Sequence, residues 1–201
     1  MEIDIATAAA IVLLIAIILA GGALFKSMFE NPQIVYIEAP LHKNMPLQLL
    51  PGEQYRYSYR INGTEANITY QVLEGYGCTR IAVLESVNGT GVCLDSGGMD
   101  GSGSNSSFAN PSILLFKPWM LALQEGWKWN NSMYLSYNGA LQHISDNSYR
   151  VVRLENYSGR ESYIVEIKSS TGPAEYDWVD AEKRVLLKIE GDGYEIVLSD
   201  G

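Results

Sequence analysis

The sequence predicts a mainly β protein, in which an N-terminal transmembrane helix is followed by a large curved antiparallel sheet, an open or half barrel, with a short helical lid. Three observations carry this prediction. Residues Ile5 to Phe25 form 21 consecutive uncharged and largely apolar positions, and no later run compares with them. From Gln54 onward two-residue alternation of apolar and polar side chains is strong, and with Gln33 to Glu38 the chain offers roughly ten short strand candidates divided by turn signals. One later segment, Pro111 to Glu125, is instead apolar nearly all round and is followed by Gly126, so it must be covered on several sides.

A helix of about 20 apolar residues spans the roughly 30 Å hydrocarbon core of a bilayer, so Ile5 to Phe25 is long enough to cross once. A cleaved secretory leader has a basic start and an apolar core of about 7 to 15 residues. Here Glu2 and Asp4 precede the run and its core is longer, so the segment is expected to stay as an anchor, with Gly21-Gly22-Ala23 the one stretch that mimics a cleavage site. No Cys lies near it, which excludes bacterial lipidation there. Residues 1–30 read as anchor and stalk, and 31–201 as one extracytoplasmic β-rich domain with a helical insertion near 111–126.

The side of the membrane follows from three features of the large domain. Lys26, the lone basic residue flanking the helix, would by itself place that domain in the cytoplasm. Against it stand six N-x-S/T triplets, at Asn62, Asn67, Asn88, Asn105, Asn130 and Asn156, where composition alone gives roughly one or two. The two cysteines, Cys78 and Cys93, bracket the turn-like Asn88-Gly89, so facing strands of one hairpin would bring them into bonding distance. Closing a loop of about 15 residues contributes about 3 kcal/mol, in an oxidising compartment; the alternative is two small buried apolar residues. Abundant Tyr, Asn, Ser and Gly with few Lys also suits an external β domain. The expected location is therefore the cell membrane, single-pass, with the C-terminal domain outside.

Net charge −9 and a pI near 4.7 argue against nucleic acid and against docking on anionic lipid headgroups. The acids are scattered, as on a solvated surface.

The elements follow in order. Gln33 to Glu38 is the first strand. Gln54 to Ile61 points Tyr55, Tyr57 and Tyr59 to one face, buried rather than sugar-stacking because Arg56, Ser58 and Arg60 occupy the other. Asn62-Gly63 is a favoured hairpin turn, and the return strand Asn67 to Leu73 puts Ile68, Tyr70 and Val72 on one face. A second hairpin runs from Cys78 to Cys93. Residues 95–107 form a polar loop whose Asp95, Asp100 and Asn105 lack the spacing and closing Glu of a calcium loop. In the apolar segment, Pro118 divides the helix into two short pieces. Strands resume at Trp127 to Tyr137, with a turn at Asn138-Gly139, then at Tyr149 to Asn156, Glu161 to Ser169, Glu175 to Asp180, Arg184 to Glu190 and Tyr194 to Ser199. The order suggests a meander that curls on itself.

The closing stretch EYDWVDAEKRVLLKIEGDGYEIVL resembles the end of lipoprotein-carrier domains of the LolA type. That resemblance implies an open β-barrel closed by helices, in which the apolar segment serves as lid, and a lipid or other apolar ligand. Ile113, Leu114, Phe116, Trp119, Met120 and Leu123 are the candidate lid or ligand contacts. Anchor, sequons and acidic β domain together also resemble archaeal cell-surface proteins.

No pattern for chemistry accompanies these features. The chain has no Gly-x-Ser-x-Gly elbow, phosphate loop or CxxC, and His42 and His143 stand far apart. Catalytic, cofactor and metal residues are therefore none. The expected role is non-catalytic binding of an apolar ligand or of a cell-envelope protein. The other reading is a structural or assembly subunit of a membrane complex or filament, in which small residues at Ala6, Ala10, Ala16, Ala20, Gly21 and Gly22 allow close helix approach.

Overall fold

The computed structural model describes residues 33–84, 91–99, 114–137 and 139–200. Within them, eleven strands form a single sheet. They are β1 (Gln33–Glu38), β2 (Gln54–Ile61), β3 (Thr64–Glu74), β4 (Thr79–Val83), β5 (Gly91–Leu94), β6 (Lys128–Tyr137), β7 (Ala140–Tyr157), β8 (Arg160–Ser169), β9 (Glu175–Asp180), β10 (Leu186–Gly191) and β11 (Tyr194–Asp200). Their order is β1-β6-β7-β8-β9-β10-β11-β2-β3-β4-β5, so β1 and β5 are edges and the sheet is not closed. Two antiparallel meanders, β6 to β11 and β2 to β5, are joined where β11 pairs with β2, with Leu198 opposite Tyr57 and Tyr194 opposite Ile61.

The β2–β3 turn shows how sequence sets register. Asn62 and Gly63 have φ of 49° and 82°, the left-handed values that a two-residue hairpin requires at both central positions. Ile61 therefore faces Thr64, and Tyr55 and Tyr57 fall opposite Tyr70 and Ile68. Tyr55, Tyr57 and Tyr70 are buried, as the alternation predicts. The Tyr57 hydroxyl donates to the Leu186 carbonyl at 2.6 Å, and its ring meets Tyr70 edge-on at 5.8 Å. Cys78 and Cys93 form a disulfide with Cα atoms 5.6 Å apart, tying β4 to the short edge strand β5.

The apolar segment differs from the expected pair of helices. From Leu114 onward its only helical part is a 3-10 turn, Pro118–Ala122. Lys117 is extended, with φ −131° and ψ 140°, because a residue followed by proline is driven out of the helical region. The predicted helical lid is thus a five-residue turn in an otherwise irregular strap. Among the bonds that fix it are Leu186 N–H to the Leu115 carbonyl at 2.9 Å, Asn44 N–H to the Leu121 carbonyl at 3.0 Å, and Leu114 N–H to the Tyr70 hydroxyl at 3.2 Å. Gly98, at φ +71°, lies so close that a Cβ there would sit 2.6 Å from Phe116 Cζ.

β7 is longer than the alternation predicts, with 18 residues beginning at Ala140. Its first half, through Ser148, is mostly exposed on both faces and so carries no two-residue signature. A register shift between Val151 and Arg153 accompanies a bond from Val151 N–H to the Trp127 carbonyl at 3.0 Å.

The chain divides into two compact units. The smaller comprises Met1–Val35 and Tyr134–Ile144; its described residues are the start of β1 and the adjoining ends of β6 and β7. The larger comprises Tyr36–Met133 and Ser145–Gly201 and contains the whole buried core. Among the described residues no helix is long and apolar enough to cross a membrane. The predicted span Ile5 to Phe25 lies outside them, with Asn88, Asp100, Asn105 and Ile113.

Candidate functional site

The groups with the most perturbed acidity gather inside the larger unit. Strand β9 alternates so that Asp177 and Val179 are buried, which places the Glu175 carboxylate two residues away on the same face. Asp177 is 4% exposed, and its Oδ1 has no hydrogen-bond partner among the described residues. Burial pushes the Asp177 carboxyl well above the usual carboxylate range; the Glu175 charge and a hydrogen bond with Glu175 push the same way, and the charge of Lys117 opposes them. Lys117, on the strap just before the 3-10 turn, is lowered to about 8 by burial, against the pull of Asp177 and Glu175. The Tyr194 hydroxyl of β11 donates to Glu175 Oε2. Burial, then that bond, raises the Tyr194 hydroxyl, and burial, then the Asp177 charge, raises Tyr149.

This arrangement favours the protonated form of Asp177. The carboxyl then acts as a neutral hydrogen-bonding group, as expected when two acids crowd one apolar site. Tyr149 also borders an aromatic stack, with ring centroids 5.0 Å from Trp129 and 5.7 Å from Trp119. Trp119 in turn stacks on Trp127 at 5.9 Å. The folded state keeps the Asp177 proton at pH values where the unfolded chain has released it, so stability falls as pH rises from about 4 toward the raised folded value. Asp177→Asn is expected to flatten that slope, raising stability at pH 8 relative to the parent and changing it little at pH 4. Urea titrations across this range measure it.

The solvent-open grooves have a different character. One, of about 410 Å³, is lined by Glu53, Tyr55, Arg160, Asp180 and Lys183 among others. Lys183 Nζ lies 2.6 Å from Glu53 Oε1, and Glu53 Oε2 accepts from Leu50 N–H at 2.8 Å and the Tyr55 hydroxyl at 3.0 Å. Burial raises the Glu53 carboxyl, but the Lys183, Leu50 and Tyr55 bonds outweigh it and hold it below the usual range. Arg160 Nη1 lies 3.5 Å from Asp180 Oδ2, while Asp180 Oδ1 accepts from Glu182 and Lys183 N–H. A second groove, of about 450 Å³, is lined by Asn, Ser, Asp146 and Lys168 side chains and includes Asn130. There Ser132 Oγ donates to Asp146 Oδ1 at 2.6 Å and Asn147 Nδ2 to Asn131 Oδ1 at 2.9 Å.

The predicted site residues fall as follows. Phe116, Trp119, Met120 and Leu123 are buried in the core and Leu114 packs against it half-buried. The sequon asparagines Asn62, Asn67, Asn130 and Asn156 are all exposed. His42 and His143 are exposed, and no group of three or more His, Cys, Asp and Glu suited to a metal occurs among the described residues. Sequence reasoning missed the Lys117, Glu175 and Asp177 cluster. Its signal was present in the spacing of Glu175, Asp177 and Val179, but Tyr176 and Trp178 on the alternate face competed for the inward assignment. They are half-buried there, with Trp178 Nε1 donating to Glu155 Oε1 at 2.7 Å and Lys188 Nζ 4.9 Å from its ring. No family model matches the chain, and no curated protein matches it.

Proposed function

We propose that the chain is a membrane-anchored, externally displayed β domain that engages a cell-envelope partner without chemistry of its own. The observation that carries this reading is the separation of reactive from accessible groups. Asp177 is buried and Lys117 half-buried, whereas the charged groups of the Glu53 and Asp180 groove are already paired with one another. Such a surface recognises by complementarity, which favours specificity and orientation over tight burial. The disulfide and the four exposed sequon asparagines support placement outside the cytoplasm.

The apolar-ligand reading implied by the carrier resemblance keeps one specific support: the strap bonds to both β3, through Tyr70, and β10, through Leu186, as a closing element would. It requires the strap to leave the core. Purifying the full-length protein from membranes after chemical cross-linking in cells, and extracting a parallel sample with chloroform, separates the readings. A discrete cross-linked envelope protein and a lipid-free extract are expected; a stoichiometric apolar molecule without a cross-linked product would overturn the partner reading in favour of the carrier. Glycopeptide mass spectrometry of the same material is expected to find glycan on at least one of Asn62, Asn67, Asn130 and Asn156. Bare asparagine at all four would remove that support for external display.

A further inference from the structure

We infer that the smaller unit is a contact for the bilayer surface: Ile34 at the start of β1, with Tyr137 and Leu141 at the ends of β6 and β7, rests in the interfacial layer of the membrane that holds the chain. The inference depends on Ile5 to Phe25 being the anchor.

Charge is the first argument. In a chain of net charge −9, the 17 residues from Trp129 to Ser145 carry no Asp, Glu, Lys or Arg, and neither do residues 31–37. An acidic domain is repelled by an anionic lipid surface, so a neutral end is the part that approaches at least electrostatic cost.

Exposure is the second. None of the described residues of this unit is buried, and Ile34, Tyr137 and Leu141 are 57%, 46% and 53% exposed. Three strand ends with no buried residue among them have no core of their own to shelter their apolar side chains. Within the unit, Tyr134 and His143 meet edge-on at 5.3 Å, a cross-strand contact that stiffens the ribbon and presents tyrosine, a residue favoured at the headgroup level.

The path of the chain says what covers this end. Ala39 N–H donates to the Asn130 carbonyl at 2.9 Å, and antiparallel continuation of that pairing lays Gln33 to Val35 beside Tyr134 to Ser136. The chain therefore enters the fold at the uncharged ribbon end. From Phe25 to Gln33 is eight residues, which reach at most about 29 Å even when fully extended. The tether thus holds the ribbon end within reach of the bilayer, which commits the surface to lipid rather than to a distant partner.

The test uses the full-length chain in phosphatidylcholine vesicles, with a single environment-sensitive fluorophore on Leu141→Cys, or on Ile34→Cys as an independent second position, and on Tyr76→Cys as reference. Cys78 and Cys93 are bonded and do not take the label. Tyr76 is fully exposed in the β3–β4 turn. The expected result is a blue-shifted label at 141 and at 34, quenched several-fold more by nitroxide lipid than by an aqueous quencher, with the reverse at 76. If the protein floats with the vesicles but labels at 141 and 34 are quenched from water as readily as at 76, the surface contact is refuted and the anchor stands. A blue shift that depends on protein concentration and ignores nitroxide lipid refutes it in favour of self-association. Failure to float with the vesicles overturns the anchor and this inference together.

Discussion

Trp119→Ala is expected to lower unfolding stability by about 3–5 kcal/mol, the range for deleting a large aromatic side chain from a packed core. Trp119 is 2% exposed, and its ring contacts Trp127 at 5.9 Å and Tyr149 at 5.7 Å. Beside it on the strap, Leu115, Phe116, Met120 and Leu121 are also buried, so the cavity left behind has few side chains free to collapse into it. Urea denaturation should show a lower midpoint with an unchanged slope. A loss below about 1 kcal/mol would mean that the strap opens at little cost, as a ligand-gating lid must, and would revive the carrier reading.

The second large effect is expected at the edge of the sheet. Cys78→Ser with Cys93→Ser should cost about 2–5 kcal/mol, with about 3 kcal/mol attributable to releasing the 15-residue loop from its constraint in the unfolded chain. β5 has four residues and among the described residues pairs with β4 alone, so there this bond and the burial of Val92 and Leu94 are its main supports. The loss should therefore be partly local. Hydrogen exchange should accelerate first at Ile81, Ala82 and Val92, before the β8–β9 amides respond. An unchanged melting temperature and unchanged exchange would show that the bond is not formed in solution.

Much of the fold was legible because short-range rules specify it. Asn62-Gly63 fixes a turn by backbone sterics, and the alternation from Tyr55 to Tyr59 then assigns a face. Gln33–Glu38, an apolar run stopped before Pro40, and Glu175–Asp180 have the boundaries expected from the sequence. The pairing of β11 with β2 was not legible, because it joins strands more than 130 residues apart and alternation names a face but no partner. The first half of β7 escaped notice because a strand exposed on both faces has no periodicity to read. In the strap, all-round apolarity correctly indicated burial, but it implied helix where Pro118 allows only a 3-10 turn. The enclosed acids were the hardest to assign. Asp177 occupies a position that burial rules give to apolar residues, with half-buried Glu175 beside it, and tertiary placement of Lys117 and Tyr194 makes the pair tolerable there.

The central claim is that this is an anchored domain displayed outside the cytoplasm. Its most direct test is to treat intact producing cells with a membrane-impermeant amine label, then extract the membranes with alkaline carbonate and digest the full-length protein under non-reducing conditions. The account predicts protein retained in the carbonate-resistant membrane, lysines of the 31–201 domain labelled, and the Cys78 and Cys93 peptides joined. Protein released by carbonate, with unlabelled lysines and two free thiols, would contradict it.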